Sequence, residues 1–203
     1  MILEEAIFLV EQRLGGSTTL SDRVKIEMTA LQTQLELREP TPWFLLHQME
    51  LDFSDYGYVR LPQSFIREWD DEEPALWFDT GPVPKLSWVQ AQKKYPGKTD
   101  GPPQAYDLMG DRLDFFPKVT SLQKGYLWAY VREPVVADGE ENAWLREVPQ
   151  LLICGAGRAI AQYVSDAAAL QAFERGYAEA GAIMAMHHVA RHEAQRHRIF
   201  GGL

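Results

Sequence analysis

Apolar residues near the start of the chain recur at helical spacing. Ile2–Leu14 reads as a helix whose apolar side chains share one face, and Gly15 and Gly16 follow where such a helix would end. A second apolar seam, preceded by candidate N-caps and followed by Pro40, predicts a second helix. Its candidate caps and its seam are Thr19, Ser21, Asp22, Val24, Met28, Leu31 and Leu35. Residues 1–39 therefore predict a hairpin of two short helices.

The pattern changes between residues 43 and 134, where nine of the twelve prolines lie. Short apolar and aromatic runs alternate there with turn residues, which is typical of β-strands. Gly110-Asp111 predicts a two-residue hairpin loop, and residues 89–95 predict one or two helical turns. Both faces of Gly125–Val131 are apolar or aromatic, so we expect that strand in the middle of a small sheet. The predicted strands are Tyr58–Leu61, Ala75–Phe78, Lys85–Trp88, Ala105–Met109, Arg112–Phe116 and Gly125–Val131.

Helical spacing returns after residue 139. Asn142 can cap a short helix before Pro149, Leu151–Val164 predicts a strongly apolar helix, and Ser165 can cap the last one. We expect that last helix to run from residue 166 to about residue 199, roughly 50 Å at 1.5 Å per residue. This length exceeds what is needed to cover a core of this size. We therefore expect the last helix to project from the protein or to pack between subunits.

The predicted fold class is α+β, because helical and strand-like segments are segregated along the chain. Helices from the two ends form a helical bundle of residues 1–42 and 140–203, including the long C-terminal helix and a tail. A β-rich insert of residues 43–139 interrupts this bundle.

Charge is distributed unevenly along the chain. The 203 residues carry a net charge of −9, whereas residues 187–203 carry three arginines and one glutamate, a net of +2. Subtracting that +2 from −9 leaves −11 for the rest, which disfavours DNA binding over most of the surface. The basic end is interpreted as a docking tail or as the last turns of a helix, since cations favour helix C-termini.

Other features of composition bear on where the protein works. Apolar residues make up 46% of the chain, but no run approaches the roughly 20 needed to cross a bilayer. Glu4 and Glu5 stand where a signal peptide would be basic, so we expect none. Cys154 is the single cysteine, which fits a reducing cytoplasm.

Four of the five histidines lie within His187–His197, which raises the possibility of a metal site. His188 and His192 are one helical turn apart and could chelate a metal as a pair. His197 follows His192 by five positions, rather than the four of a zincin helix, and the neighbouring arginines would oppose a cation. We therefore predict no metal, and interpret the histidines as part of a solvated or interface-facing helix.

Three further features have a structural and a functional interpretation. Gly155-Ala156-Gly157 could form a phosphate-binding turn, but Ile160 stands where a third glycine would be, so close helix packing is the preferred interpretation. An acidic cluster consists of Glu68, Asp70, Asp71, Glu72 and Glu73. This cluster could bind a divalent ion, but it lacks the spacing of a calcium loop and is interpreted as a solvated loop.

Trp69, Trp77 and Trp88 are candidates either for the core of the insert or for anchors at a protein interface. Cys154 is interpreted as a small core residue. No arrangement of residues suggests a catalytic site or a cofactor, so we predict that the protein is not an enzyme.

A set of short segments, none of them a catalytic motif, spans nearly the whole chain. The segments are Leu31–Glu36, Pro42–Leu46, Leu61–Glu68, Tyr95–Gly97, Pro103–Tyr106, Leu113–Pro117, Glu141–Leu145, Pro149–Ile153, Gln195–His197 and Gly201-Gly202. In this order they resemble the head-to-tail adaptor (connector) family of tailed bacteriophages, and especially the P22-like head-completion adaptors. The histidine-rich last helix departs from the family pattern.

The resemblance implies a structural virion protein, made in the host cytoplasm and located at the head-tail junction. It implies a homo-oligomeric ring, usually of twelve copies, beneath the portal protein. The ring would close the DNA-filled head and seat a downstream tail or nozzle protein, while genomic double-stranded DNA passes through the lumen without specific binding. We expect no membrane partner. The resemblance also directs the C-terminal segment toward the portal, through Arg191, Arg196, His197, Arg198, Ile199 and Phe200.

Two alternatives of other classes remain open from the sequence. One is a metal-dependent hydrolase that uses His188 and His192. The other is a small DNA-binding regulator that uses the basic C-terminal helix, for which a steep loss of duplex affinity with added salt would be expected.

Overall fold

The computed structural model of the protein describes residues 1–16, 18–38, 41–51, 53, 58–69, 74–96, 101–118, 124–135 and 139–200. In chain order the elements are α1 (Leu3–Arg13), α2 (Ser21–Glu36), β1 (Leu46–Glu50), β2 (Tyr58–Arg60), β3 (Phe65–Glu68), β4 (Leu76–Phe78), β5 (Gly81–Val83), α3 (Trp88–Lys94), β6 (Ala105–Met109), β7 (Arg112–Phe116), β8 (Gly125–Val131), α4 (Ala143–Glu147), α5 (Pro149–Tyr163) and α6 (Ala167–Phe200). The predicted α+β class is confirmed.

Two units divide the chain. Met1–Phe44 and Glu133–Leu203 form the helical unit, and Leu45–Arg132 forms the β unit. The second boundary thus lies before the residue 140 expected from the sequence. Hydrogen bonds explain the difference, because the Gln32 side chain donates to the carbonyl oxygens of Glu133 (3.2 Å) and Pro134 (3.4 Å). This segment therefore belongs to the helical unit.

Helices α1 and α2 pack on α5 through the faces that the sequence predicted. All four seam residues of α2 are buried, and so are Leu3, Ala6, Ile7 and Val10 of α1. Beside them lies a buried polar cluster, in which Glu36 accepts hydrogen bonds from Gln32 (2.9 Å) and from the Trp144 indole (3.2 Å). Asn142 donates to Gln32 at 3.0 Å and caps α4 as predicted.

Two predicted helix caps are wrong. Leu20, not Thr19, Ser21 or Asp22, occupies the N-cap position of α2, because a 3-10 turn at Thr18–Leu20 leads directly into the helix. Ser21 is the first helical residue, and its hydroxyl donates to Glu11 at 2.5 Å.

Asp166, not Ser165, caps α6. Its Oδ1 accepts hydrogen bonds from the backbone N–H groups of Ala168 (3.1 Å) and Ala169 (2.9 Å). Ser165 instead ends α5 with a φ of 59°, and two hydrogen bonds around it form a Schellman motif. These run from Ser165 N to Gln162 O (3.3 Å) and from Asp166 N to Ala161 O (2.9 Å).

The β unit contains two antiparallel sheets. In the first, β8 pairs with β1 along one side and with β3 and β4 along the other, and β5 pairs with β4. The prediction that Gly125–Val131 lies in the middle of a sheet is therefore confirmed. The second sheet has the order β2-β7-β6. Its predicted hairpin is also confirmed, since Met109 pairs with Arg112 and Gly110 has a positive φ of 66° that suits a tight turn.

The predicted strand Lys85–Trp88 is wrong. Lys85 makes one isolated bridge to Tyr106, after which Ser87 caps α3 by accepting a hydrogen bond from the Gln90 N–H at 3.4 Å. The short helix expected at residues 89–95 is thereby confirmed as α3. Strands β1, β3 and β5 were not predicted from residue patterns.

Candidate interaction surface on the long C-terminal helix

The inner face of α6 fits against small residues of α5. A Cβ atom on Gly157 would lie 2.3 Å from Phe173 Cε1, and one on Gly155 would lie 3.0 Å from Tyr177 Cε2. The preferred interpretation of Gly155-Ala156-Gly157 therefore agrees with the geometry. These residues lie within a continuous helix and are buried, rather than forming an open phosphate-binding turn.

Among the described residues, Trp43 and Glu147 contact the far part of α6. The rings of Trp43 and His187 lie 6.1 Å apart, and the Arg191 guanidinium lies 5.8 Å from the Trp43 ring centre. Arg191 also forms an ion pair with Glu147 at 4.0 Å. Arg191, a predicted portal contact, is thus bound within its own chain, although its side chain is still 58% exposed.

The other predicted portal contacts lie at the end of α6. The helical backbone continues through Arg196, His197, Arg198 and Ile199 to Phe200, and the positions of their side chains lie outside the described residues. At 1.5 Å per residue, the nine residues after Arg191 extend the helix by roughly 14 Å.

The outer face of α6 is apolar as well, which the sequence pattern did not reveal. Ile183, Met186 and Val189 are between 49% and 64% exposed. At 3.6 residues per turn, Met186 and Val189 lie on the side opposite Phe173, and Ile183 lies on the flank beside them. Ala182 and Ala190 are exposed beside them, while Glu179 and Glu193 stand at the two ends. We call these seven residues the outer stripe. Apolar residues thus occupy both faces of α6, so a hydrophobicity pattern alone could not identify the buried one.

His188 lies at a cavity of the helical unit. The cavity has a volume of about 210 Å³. Its lining is mostly apolar and consists of Leu35, Arg38, Leu151, Tyr177, Gly181, Met184, Ala185 and His188. The side chain of His192 is outside the described residues. Among the residues that are described, no group of three or more histidine, cysteine or acidic side chains is positioned to hold a metal.

The three tryptophans of the β unit differ in exposure. Trp69 is buried, which favours its interpretation as a core residue. Trp77 is half-buried, and its indole N–H donates to the Pro74 carbonyl at 2.8 Å. Trp88 is 47% exposed at the start of α3, so of the three it is the most accessible to a partner.

Glu68 was expected in a solvated acidic loop, and for this residue the expectation is wrong. It is buried at the end of β3, accepts a hydrogen bond from the Tyr106 hydroxyl at 2.8 Å and forms an ion pair with Lys85. Because Tyr106 lies on β6, this carboxylate links the two sheets. Asp70, Asp71, Glu72 and Glu73 lie outside the described residues.

Cys154 is buried and forms no disulfide, in agreement with its interpretation as a core residue. Its thiol lies against α6, where a Cβ on Gly176 would approach the Sγ to 2.7 Å.

Within the described ranges, no helix combines the length and the hydropathy needed to cross a membrane. No protein-family model matches the sequence, and among curated proteins none matches it at a significant level.

Proposed function

We propose that this protein is a non-catalytic structural component of a phage particle, a head-to-tail adaptor. Copies of the chain form a ring beneath the portal, close the DNA-filled head and provide the seat for the tail. The single observation that carries this proposal is the apolar outer stripe of α6. Helix α6 packs on α5 through its inner face and exposes apolar residues on its outer face. Such a surface is typical of a protein that is covered by neighbouring molecules in its assembled state.

The environment of the buried carboxylates supports a structural role. Glu36 accepts hydrogen bonds from Gln32 and Trp144 inside the helical unit, and Glu68 binds Tyr106 and Lys85 inside the β unit. Each of these carboxylates accepts hydrogen bonds that join secondary-structure elements. The cavity of the helical unit is lined mainly by apolar side chains, as suits packing against a neighbour.

The charge distribution supports passage of DNA without specific binding. Residues outside 187–203 carry a net charge of −11, given the −9 of the whole chain. An acidic wall repels the phosphate backbone and so allows a duplex to slide past it. Residues 187–203 carry a net positive charge instead, and we assign the end of α6 to contact with the portal.

The anchoring of Arg191 allows a sharp test of that assignment. Removing everything from His187 onward would also remove the contacts with Trp43 and Glu147, so it would disturb the helical unit. A chain ending at Ala194 keeps those contacts and loses Arg196, Arg198, Ile199 and Phe200. We expect it to fold normally and to bind portal rings at least about tenfold more weakly, because several cations and apolar side chains of the interface are lost.

The matched control removes two positive charges elsewhere. Lys93→Ala/Lys94→Ala changes two exposed residues of α3 and should leave portal binding unchanged, whereas Arg196→Ala/Arg198→Ala should weaken it. Binding can be measured by sedimentation with the portal protein encoded by the same genome, and circular dichroism checks folding. Undiminished attachment of the chain ending at Ala194 would exclude the end of α6 from the portal contact.

The ring itself can be tested by negative-stain electron microscopy of the full chain mixed with that portal. We expect extra density of circular symmetry on one face of the portal. Portal rings that remain bare at saturating protein would overturn the proposed function.

A further inference from the structure

The outer side of α6 carries six residues at the spacing of a coiled-coil seam. They follow one another at intervals of four, three, four, three and four positions, which is the a/d pattern of a heptad repeat. At about 3.6 residues per turn, all six lie on the half of the helix that faces away from Phe173, and all six are exposed. We call Arg175 and these five members of the outer stripe the α6 seam: Glu179, Ala182, Met186, Val189 and Glu193.

The α6 seam complements itself when two such helices run in opposite directions. In one antiparallel register, Ala182 of each copy faces Met186 of the other, so a small side chain lies opposite a large one at both central layers. The same register places Arg175 of each copy opposite Glu193 of the other, which joins opposite charges at both ends. Each of these pairs is centred on residue 184, so a single alignment of the two helices brings all of them together.

Other alignments of the same two helices lose this match. A parallel pair in register would place Arg175 against Arg175 of the other copy and Glu193 against Glu193, and like charges that face each other repel. An antiparallel pair shifted by one heptad would separate Arg175 from Glu193 by roughly 10 Å along the helix axis. The charges of the α6 seam therefore favour the antiparallel register centred on residue 184.

We propose that α6 of one copy of this chain binds α6 of a second copy in this antiparallel register. The second copy is identified by the charges at the ends of the α6 seam and by the sizes of its central side chains. The contact uses the same surface on both copies, so it closes as a two-fold dimer. It concerns the chain before it meets a portal, so it goes beyond the proposed function and does not depend on it.

The composition of the α6 seam predicts a weak dimer. Its third kind of layer pairs Glu179 with Val189, where the methylene groups of the glutamate can cover the valine while its carboxylate stays in water. The seam spans roughly 27 Å from Arg175 to Glu193, and a contact between two helices of that length falls below the roughly 1,600 Å² of a standard interface. We therefore expect the dimer at high protein concentration, where cross-linking can trap it.

Site-directed cross-linking tests the register. Cys154 is buried, so new surface cysteines dominate disulfide formation. Ala182→Cys mixed with Met186→Cys under mild oxidation should give a crossed dimer, because the two positions face each other. Each single variant should give at most about a fifth as much dimer, because like positions are offset by roughly 6 Å along the axis and so lie too far apart for a disulfide.

Two further cysteine variants exclude other arrangements. Met186→Cys mixed with Val189→Cys is the matched control, because these exposed positions face each other only after a shift of one heptad. Dominant cross-linking of that pair, or of Met186→Cys with itself, would overturn the proposed register. A chain that carries both Ala182→Cys and Met186→Cys should stop at a covalent dimer, and a ladder of larger species would contradict the two-fold pair.

Exchange of the end charges provides an independent test. R175E places two glutamates opposite each other at both ends, and E193R places two arginines there, so each alone should dimerise about tenfold more weakly. Mixing these two variants, or combining both changes in one chain, pairs opposite charges again and should restore dimerisation. Glu174→Arg is the matched control for E193R, because Glu174 is exposed on α6 but lies off the seam, and it should leave dimerisation unchanged. Sedimentation velocity measures association, and circular dichroism checks that each variant folds.

The outcomes distinguish this inference from the proposed function. Portal binding by a chain that stays monomeric up to its solubility limit and forms no crossed disulfide would overturn the antiparallel pair and leave the adaptor function standing. A crossed dimer whose portal rings remain bare would support the pair and refute the adaptor function. Weakened dimerisation of R175E that mixing with E193R does not restore would also overturn the pair, because the two charges would then not face each other.

Discussion

Gly157 shows how one missing side chain determines where α6 lies. Phe173 occupies the space that a Cβ on Gly157 would need, with ring carbons at 2.3, 2.5 and 2.6 Å from the ideal Cβ position. A buried aromatic ring cannot retreat without moving its neighbours, since protein interiors are close-packed.

Gly157→Ala should therefore lower the free energy of unfolding by about 1–3 kcal/mol through overpacking. Gly181→Ala is the matched control on α6, because a Cβ there meets nothing within 4 Å. We expect it to raise stability by about 0.5–1 kcal/mol, the usual gain of alanine over glycine in a helix. Denaturant unfolding followed by circular dichroism measures both, and a stabilised Gly157→Ala would contradict the packing described.

Glu68 is a second residue whose contacts are expected to affect stability. Tyr106→Phe keeps the ring but removes the hydroxyl that donates to it at 2.8 Å. We expect a loss of about 1–3 kcal/mol, because a buried acceptor loses a donor. Tyr126→Phe on β8, whose hydroxyl makes no hydrogen bond among the described residues, should be close to neutral. Thermal unfolding monitored by tryptophan fluorescence compares the two, and equal effects would refute a role for the hydroxyl.

Among the elements, those defined by local periodicity were predictable. The seam of α2, the length of α6 and the Gly110-Asp111 hairpin all follow from residue spacing. The predicted strand at Lys85–Trp88 failed because Ser87 and Gln90 form reciprocal capping bonds that begin a helix. Strands such as β1 have weak local signals, since the partner that defines β1 is β8, about eighty residues away.

The boundary between α5 and α6 illustrates a further limit of sequence reasoning. Ser165 and Asp166 are both good N-cap residues, and only the Schellman motif around Ser165 decides between them. Asp166→Ala should cost about 1 kcal/mol, because two N–H groups of α6 lose their acceptor. Asp166→Asn retains an acceptor oxygen and should change stability much less. Urea unfolding distinguishes the pair, and an equal loss for both would argue against capping.

At the scale of the whole molecule, the chain passes between its two units along two neighbouring strands of the β unit. The chain enters the β unit along β1 and leaves along β8, and Leu46 pairs with Tyr130. The Cα atoms of such a pair lie about 5 Å apart.

The candidate interaction surface on α6 could not be predicted from the sequence, because both faces of α6 are apolar and only the packing on α5 reveals which one remains open.

This connection predicts that the helical unit can fold without the insert. Replacing residues 45–132 by a short glycine-serine linker should leave a helical protein that unfolds cooperatively, because the pairing of Leu46 with Tyr130 keeps the two ends of the insert close together. Far-UV circular dichroism during heating measures this, with the full chain as control. A variant with little helix and no transition would mean that the helices depend on the insert.

The paired strands at this junction have a practical consequence. Any compact domain whose own termini lie side by side could be grafted there in place of the insert, without lengthening the path of the backbone. A fluorescent protein carried in this way would label each copy once, so the brightness of a single assembled particle would count its subunits.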